Sequence, residues 1–138
     1  MSLPNYDELA AGYEMPSLTK EPIEQVQLVR YAGASGDFNP IHTVPEKAKA
    51  AGLDGTIAHG MLVMGMLGQA ISSWAGIKNI KAYNVTFKAM TKPGDVLTAK
   101  GTFKKKYEKE GEKLADFKVW IEDQNGEVKV DGKTTIKF

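Results

Sequence analysis

Gly60-Met61-Leu62-Val63-Met64-Gly65-Met66-Leu67-Gly68-Gln69-Ala70-Ile71-Ser72-Ser73-Trp74 carries no charged side chain, and its reading decides the fold. The charge-free stretch extends outward from Gly55 to Ile77, which raises the question of a membrane span. Gly65 and Gly68 interrupt the continuous apolar part, and Gln69, Ser72 and Ser73 follow it. A bilayer needs about 20 predominantly apolar residues. The segment therefore reads as a core helix of about 22 Å at 1.5 Å per residue, apolar almost all round and so buried on most faces. Each interior glycine costs about 1 kcal/mol against alanine. Packing must offset that, and glycine lets a sheet, a second helix or a ligand come close.

After Gly76 the apolar period changes from helical spacing to two. Ile80, Ala82, Asn84, Thr86 and Lys88 fall on one face, and Lys81, Tyr83, Val85, Phe87 and Ala89 on the other. Lys92-Pro93-Gly94-Asp95 is a turn. Val96–Tyr107 and Leu114–Asp123 read as strands around a charged hairpin, Glu108–Lys113. Asn125-Gly126 is a strong hairpin signal, and Glu127–Phe138 is the last strand, with Gly132 as its candidate bulge. About four consecutive antiparallel strands following one apolar helix indicate an α+β domain with the helix packed on the sheet.

On the other side of the helix, residues 1–21 form a lead-in with a short edge strand near Tyr13–Leu18. Pro22 suits a first helical turn. Ile23, Val26, Leu28 and Val29 then recur at helical spacing, predicting a helix from 22 to Ala32 that frays at Gly33. From Gly36 to Pro40 the backbone must turn, with Asp37 and Asn39 able to bond nearby amides. Thr43-Val44-Pro45-Glu46 has the form of a capping box opening a short helix, 44 to Ala51, ended by Gly52. His42 thus stands directly before a helix start, five residues after Asp37, and the pair His59-Gly60 opens the apolar helix. Such a loop can hold an acid/base pair, and such a helix start can hold a carbonyl oxygen.

With 138 residues the chain is long enough for one domain with a real core. A net charge of +1, with charged residues at 25%, suggests neither nucleic-acid binding nor disorder. The absence of cysteine removes disulfides and thiolate metal sites and fits a cytoplasmic protein. Residues 1–20 contain Asp7, Glu8 and Glu14 and do not read as a signal peptide.

Tyr31-Ala32, Ser35-Gly36-Asp37, Asn39-Pro40 and His42, followed by Ala58-His59-Gly60-Met61 at the start of the apolar helix, resemble the MaoC-like dehydratase family of (R)-specific enoyl-thioester hydratases. Pro93-Gly94-Asp95 and the trailing strands are similar too. The resemblance implies a hot-dog fold whose sheet wraps the Gly60–Trp74 helix, and a dimer whose sheets pair edge to edge. It implies thioesters of coenzyme A or acyl carrier protein, interconverted between trans-2-enoyl and (R)-3-hydroxyacyl forms without a cofactor. Carried onto this chain, Asp37 and His42 are the catalytic pair, the Gly60 backbone N–H binds the thioester carbonyl, and Asn39 is a positioning residue. Gly68 departs from members that carry serine there, which bears on polar contacts near the thioester and on acyl-chain specificity.

That chemistry needs a base to activate water, an acid to supply the α-proton and a donor for the enolate oxygen. Imidazole exchanges protons near neutrality. A fixed amide at a helix N-terminus can hold a developing oxyanion. Met61, Met64 and Met66 are candidates for an adaptable acyl pocket or plain core. His59 reads as a structural hydrogen-bonding residue or a direct participant. Asp37, His42 and His59 are poor metal candidates, because catalytic zinc sites usually take three protein ligands and only two histidines and no cysteine exist. Lysines 100, 104, 105, 106, 109, 113 and 118 read as a solvated sheet edge or as a contact for coenzyme A phosphates or an acidic carrier. Two rival functions remain: a non-catalytic acyl-binding subunit of a heterodimeric dehydratase, and a hot-dog thioesterase. The chain is expected to form a homodimer or heterodimer and to bind neither nucleic acid nor membrane.

Overall fold

A computed structural model of the protein describes residues 2–138. Strand β1 (Glu14–Thr19) is followed by helices α1 (Gln25–Ser35), α2 (Pro45–Ala50) and α3 (Gly60–Ala75). Strands β2 (Ile80–Phe87), β3 (Thr98–Lys109), β4 (Glu112–Glu122) and β5 (Val128–Lys137) complete an antiparallel sheet in the order β1-β3-β4-β5-β2. Helix α3 contacts all five strands and is the core element that the apolar run predicts. The sheet curved around one helix is the hot-dog arrangement.

The helix packs by its inner face. Val63, Met66, Leu67, Ala70, Ile71 and Trp74 are buried, and Trp74 meets Phe117 of β4 edge-on at 4.9 Å between ring centroids. Full burial of residues such as Leu67 and Ile71 contributes about 1.5–3 kcal/mol each. Together with the sheet ladder this outweighs the interior glycines. Among the described residues no helix is long and apolar enough to cross a membrane.

Four expectations about the helices need correction, each for a physical reason. Helix α1 starts at Gln25, not at 22, because Ile23 is pinned in the 92–95 turn: its N–H donates to the Asp95 carbonyl at 2.9 Å and its carbonyl accepts from Gly94 at 2.7 Å. The helix also runs through Gly33 and ends at Gly36, whose φ of 76° suits the left-handed cap. Its buried residues are Leu28 and Ala32, one turn apart, whereas Val26 and Val29 are 47% and 50% exposed. The capping box does not form: Thr43 closes the preceding 3-10 turn, so uncapped Val44 is the N-cap of α2.

Strand β2 does not form a hairpin with β3. It crosses over to pair with β5, while β1, the edge strand expected near Tyr13–Leu18, lies at the opposite edge. Gly132 is no bulge, since the ladder runs regularly through it to Val85 and Val119. Glycine is needed there for space, because a Cβ would lie 1.8 Å from the Asn84 carbonyl oxygen.

A buried charge cluster fastens the crossover to the sheet. The Lys129 ammonium, 5% exposed, stands 3.4 Å from Asp123 and 3.9 Å from Asp95 and also pairs with Glu127. Burial acts to raise the Asp123 carboxyl, but the amides of Glu127 and Asn125 and the Lys129 ammonium outweigh it and hold it below its usual value. Burial acts to lower Lys129, but Glu127 and Asp123 outweigh it and hold the ammonium above its usual value.

The Asp123 contribution to stability is complete above the unfolded carboxyl value of roughly 3.9 and is lost as pH falls through the lower folded value. That of Lys129 is complete below roughly 10.4 and is lost as pH rises through the higher folded value. In urea unfolding between about pH 5 and about pH 2, the stability gap between wild type and Asp123→Asn should shrink as acid is added. A gap that stays constant over that range would show that Asp123 does not titrate with folding.

Candidate active site

Three successive side chain-to-backbone hydrogen bonds shape the loop after α1. The Asp37 N–H donates to Ser35 Oγ, the Asn39 N–H to Asp37 Oδ1, and the Ile41 N–H to Asn39 Oδ1, each at 3.2 Å. These are the local bonds that make Ser, Asp and Asn turn formers. Pro40 then starts the 3-10 turn that ends at His42. The loop leaves Asp37 Oδ2 facing His42 Nε2 at 3.7 Å, with the Asp37 side chain 52% exposed and that of His42 9%. Asn39 is spent on the turn and holds the loop.

His42 is oriented by groups that have no signature of their own. Its Nδ1 is 2.7 Å from the Ile57 carbonyl, which can only accept, so Nδ1 carries a proton and Nε2 is the ring nitrogen turned toward Asp37. The His42 carbonyl accepts from Gln25 Nε2 at 2.8 Å, and Thr56 donates to the other end of the same amide. Gln25 therefore links α1 to both sides of the site.

His59 is buried against this pair. Its ring stacks on His42 at 3.7 Å and 23°, and Tyr31 meets it edge-on at 4.7 Å. Its Nε2 donates to the Asp37 carbonyl at 3.1 Å, while Nδ1 is buried without a partner. Ligand atoms of Asp37, His42 and His59 lie within 4.8 Å of one another. The two imidazoles occupy nearly parallel planes, however, so their in-plane lone pairs do not aim at one point where an ion would sit.

Gly60 is the first residue of α3, and its N–H has no acceptor within the helix. The segment before it is anchored twice: the Ile57 N–H donates to the Ile41 carbonyl at 3.2 Å and the Ala58 N–H to the Thr91 carbonyl at 2.7 Å. Phe87 packs so close that a Cβ on Gly60 would sit 3.1 Å from its ring. A cleft of about 380 Å3 joins His42 to Gly60, lined also by Val63, Phe87, Met90 and Val130 among others. Its size falls in the range of small-molecule sites, and its walls are largely apolar.

Asp37, His42, His59 and Gly60 are thus brought together. Met61 and Met64 are not: Met61 borders a separate groove with Lys20 and Tyr31, and the Met64 carbonyl accepts the Tyr83 hydroxyl at 2.8 Å. Neither methionine lines the cleft beside His42 and Gly60. Met66 is core, 5% exposed.

The lysines of β3 and β4 lie away from the cleft. Lys100 pairs with Glu122, Lys106 donates to the carbonyls of Tyr6 and Asp7, and Lys113 lies 3.6 Å from Asp7. The cations next to the cleft are Lys88 on its wall and Lys49 and Lys92 in an adjoining groove that shares Ile57 and Met90 with it. Helical spacing and strand alternation gave those three no distinguishing mark.

A family model described as a MaoC like domain matches residues 10–124. Among solved structures, R-hydratase PhaJ1 from Pseudomonas aeruginosa is 28% identical with a TM-score of 0.80, over 95% of this chain and 83% of that one. The (R)-hydratase from A. caviae involved in PHA biosynthesis is 25% identical with a TM-score of 0.80, over 95% and 98%. The peroxisomal hydratase-dehydrogenase-epimerase of Neurospora crassa is 33% identical over 92 residues, 63% of this chain and 10% of that protein. The chain spans less than a fifth of the length of curated fungal relatives such as this one.

Proposed function

From the premise that this chain belongs to the MaoC-like dehydratase family, we propose that it catalyses the reversible hydration of trans-2-enoyl thioesters to (R)-3-hydroxyacyl thioesters. One observation carries the reading: Asp37 Oδ2 and His42 Nε2 face each other at 3.7 Å beside a cleft that also reaches the start of α3 at Gly60. The gap is too long for a direct hydrogen bond and leaves both acceptors free for one shared water. The apolar walls from Val63, Phe87 and Val130 suit an acyl chain. The (R) outcome is taken from the two solved hydratases named above.

In the hydration direction, His42 Nε2 takes a proton from the shared water, whose oxygen bonds to the β-carbon of the enoyl group. Asp37 accepts the other water hydrogen as a hydrogen bond and stabilises the imidazolium. The π electrons move to the thioester oxygen, which the Gly60 N–H holds as an enolate. The proton on Nε2 then passes to the α-carbon, so one water is added and His42 returns to its starting tautomer. The Ile57 carbonyl keeps Nδ1–H in place throughout. His59 and Asn39 act through the Asp37 loop and touch no reacting atom.

Two copies are proposed to pair through β2, which is hydrogen-bonded to β5 on one side and open on the other. Purified protein given crotonyl-CoA is expected to deplete the enoyl absorbance and form the (R)-3-hydroxy product, and sedimentation should give twice the chain mass. Release of free thiol would mean a thioesterase instead. Inert protein that gains activity only with a second subunit would mean the non-catalytic role. A ladder of enoyl-CoA lengths in the same assay sets the acyl range, and the matching acyl-carrier-protein thioesters set the carrier.

A further inference from the structure

The crossover from β2 to β3 supplies Lys88, Ala89, Met90 and Thr91 to one wall of the cleft, beyond the point where strand pairing stops at Phe87. Lys129 of β5 grips this strap with its backbone and its side chain. Its carbonyl accepts the N–H of Lys88 at 2.9 Å and of Ala89 at 3.2 Å. Its ammonium donates to the Met90 carbonyl at 2.9 Å. The next carbonyl, that of Thr91, holds the Ala58 N–H, and Ala58 leads through His59 to Gly60. Lys129 is 4% exposed, and a buried ammonium is costly unless fully paired. A methionine would fill the same space without that cost, and the sheet ladder would stand without the ammonium. What methionine cannot do is donate a hydrogen bond to Met90.

We propose that Lys129 is a positioning residue for the reaction: its ammonium fixes the Met90 carbonyl, and through Thr91 it sets the Ala58–Gly60 segment against His42. The proposal rests on the hydratase reading of the cleft. Removing the lysine alone would strand the Asp123 carboxylate, so the informative variant is the charge-conserving pair Lys129→Met with Asp123→Asn, in which Asp95 keeps its hydrogen bonds from the Lys92 N–H and Gln124. It is compared with Asp123→Asn alone, which keeps the Met90 contact. Both are assayed with crotonyl-CoA at a temperature where circular dichroism shows them folded.

Misplacement of a donor by a fraction of an ångström to 1 Å costs up to about 100-fold. The double variant should therefore lose about 10–100-fold in kcat with KM within about threefold of wild type, while Asp123→Asn alone keeps kcat within about threefold. A folded double variant with wild-type kcat overturns the proposal. So does equal loss of kcat in Asp123→Asn alone, or a double variant that does not fold, because the ammonium would then serve the fold. Wild-type protein that hydrates nothing defeats the hydratase reading instead.

Discussion

His42→Ala is expected to lower kcat for crotonyl-CoA hydration by about 10²–10⁴-fold, the usual contribution of a positioned acid/base group. Asp37→Asn should fall in the same range, because the amide keeps the loop's hydrogen bond to Asn39 while losing the charge that faces Nε2. If the two groups serve one water, their effects are not independent, and the double variant should be little worse than the weaker single one. The fold should hardly notice. Asp37 is half exposed, and the Ile57 carbonyl freed by His42→Ala borders the open cleft, where water can take over as its donor. Both single variants should therefore keep the wild-type sedimentation coefficient and a melting temperature within a few degrees. Near wild-type turnover in both would refute the pair, whereas multiplicative losses in the double variant would mean that each acts on a different step.

Features set by neighbouring residues were legible in the sequence. The absence of charge from Gly60 to Trp74 predicts a core helix, and α3 spans Gly60–Ala75, although it buries one face and leaves Met61 58% exposed instead of being buried on most faces. Asn125-Gly126 gives a turn because Gly126 takes φ of 80°. The Asp37–His42 loop is legible because its hydrogen bonds run between residues two apart.

What escaped depends on distance in the chain. The pairing of β2 with β5 is set by a crossover, not a turn, and alternation alone cannot choose a strand's neighbour. The carbonyls of Ile57 and Thr91 orient the site, but a backbone carbonyl has no residue type to recognise. Gln25 looks like any polar position on an amphipathic helix, and its two contacts lie 17 and 31 residues away. Lys129 reads as solvent-facing in a strand, although Asp95, Asp123 and Glu127 come together around it. Tyr31 belongs to the quoted motif, and only the structure shows that its ring braces His59.

The carbonyl-binding role of Gly60 can be separated from its small size by Gly60→Pro. Proline lacks only the N–H at issue, and the first position of a helix tolerates it because that amide has no intrahelical partner. The preceding residue must be extended, and His59 already has φ of −59° and ψ of 131°. What proline adds is bulk against Phe87, since a Cβ would stand 3.1 Å from that ring. Gly60→Ala adds the same Cβ while keeping the donor, so it measures the steric part alone. Removing one oxyanion donor costs about 10²–10³-fold in kcat in a hydrolase where this was measured. Gly60→Pro should accordingly run about 10²-fold or more below Gly60→Ala, with the difference in kcat and not in KM, because the enolate charge develops only after binding. Equal rates for the two variants would remove the helix-start amide from the reaction and leave enolate stabilisation to some other donor in the cleft.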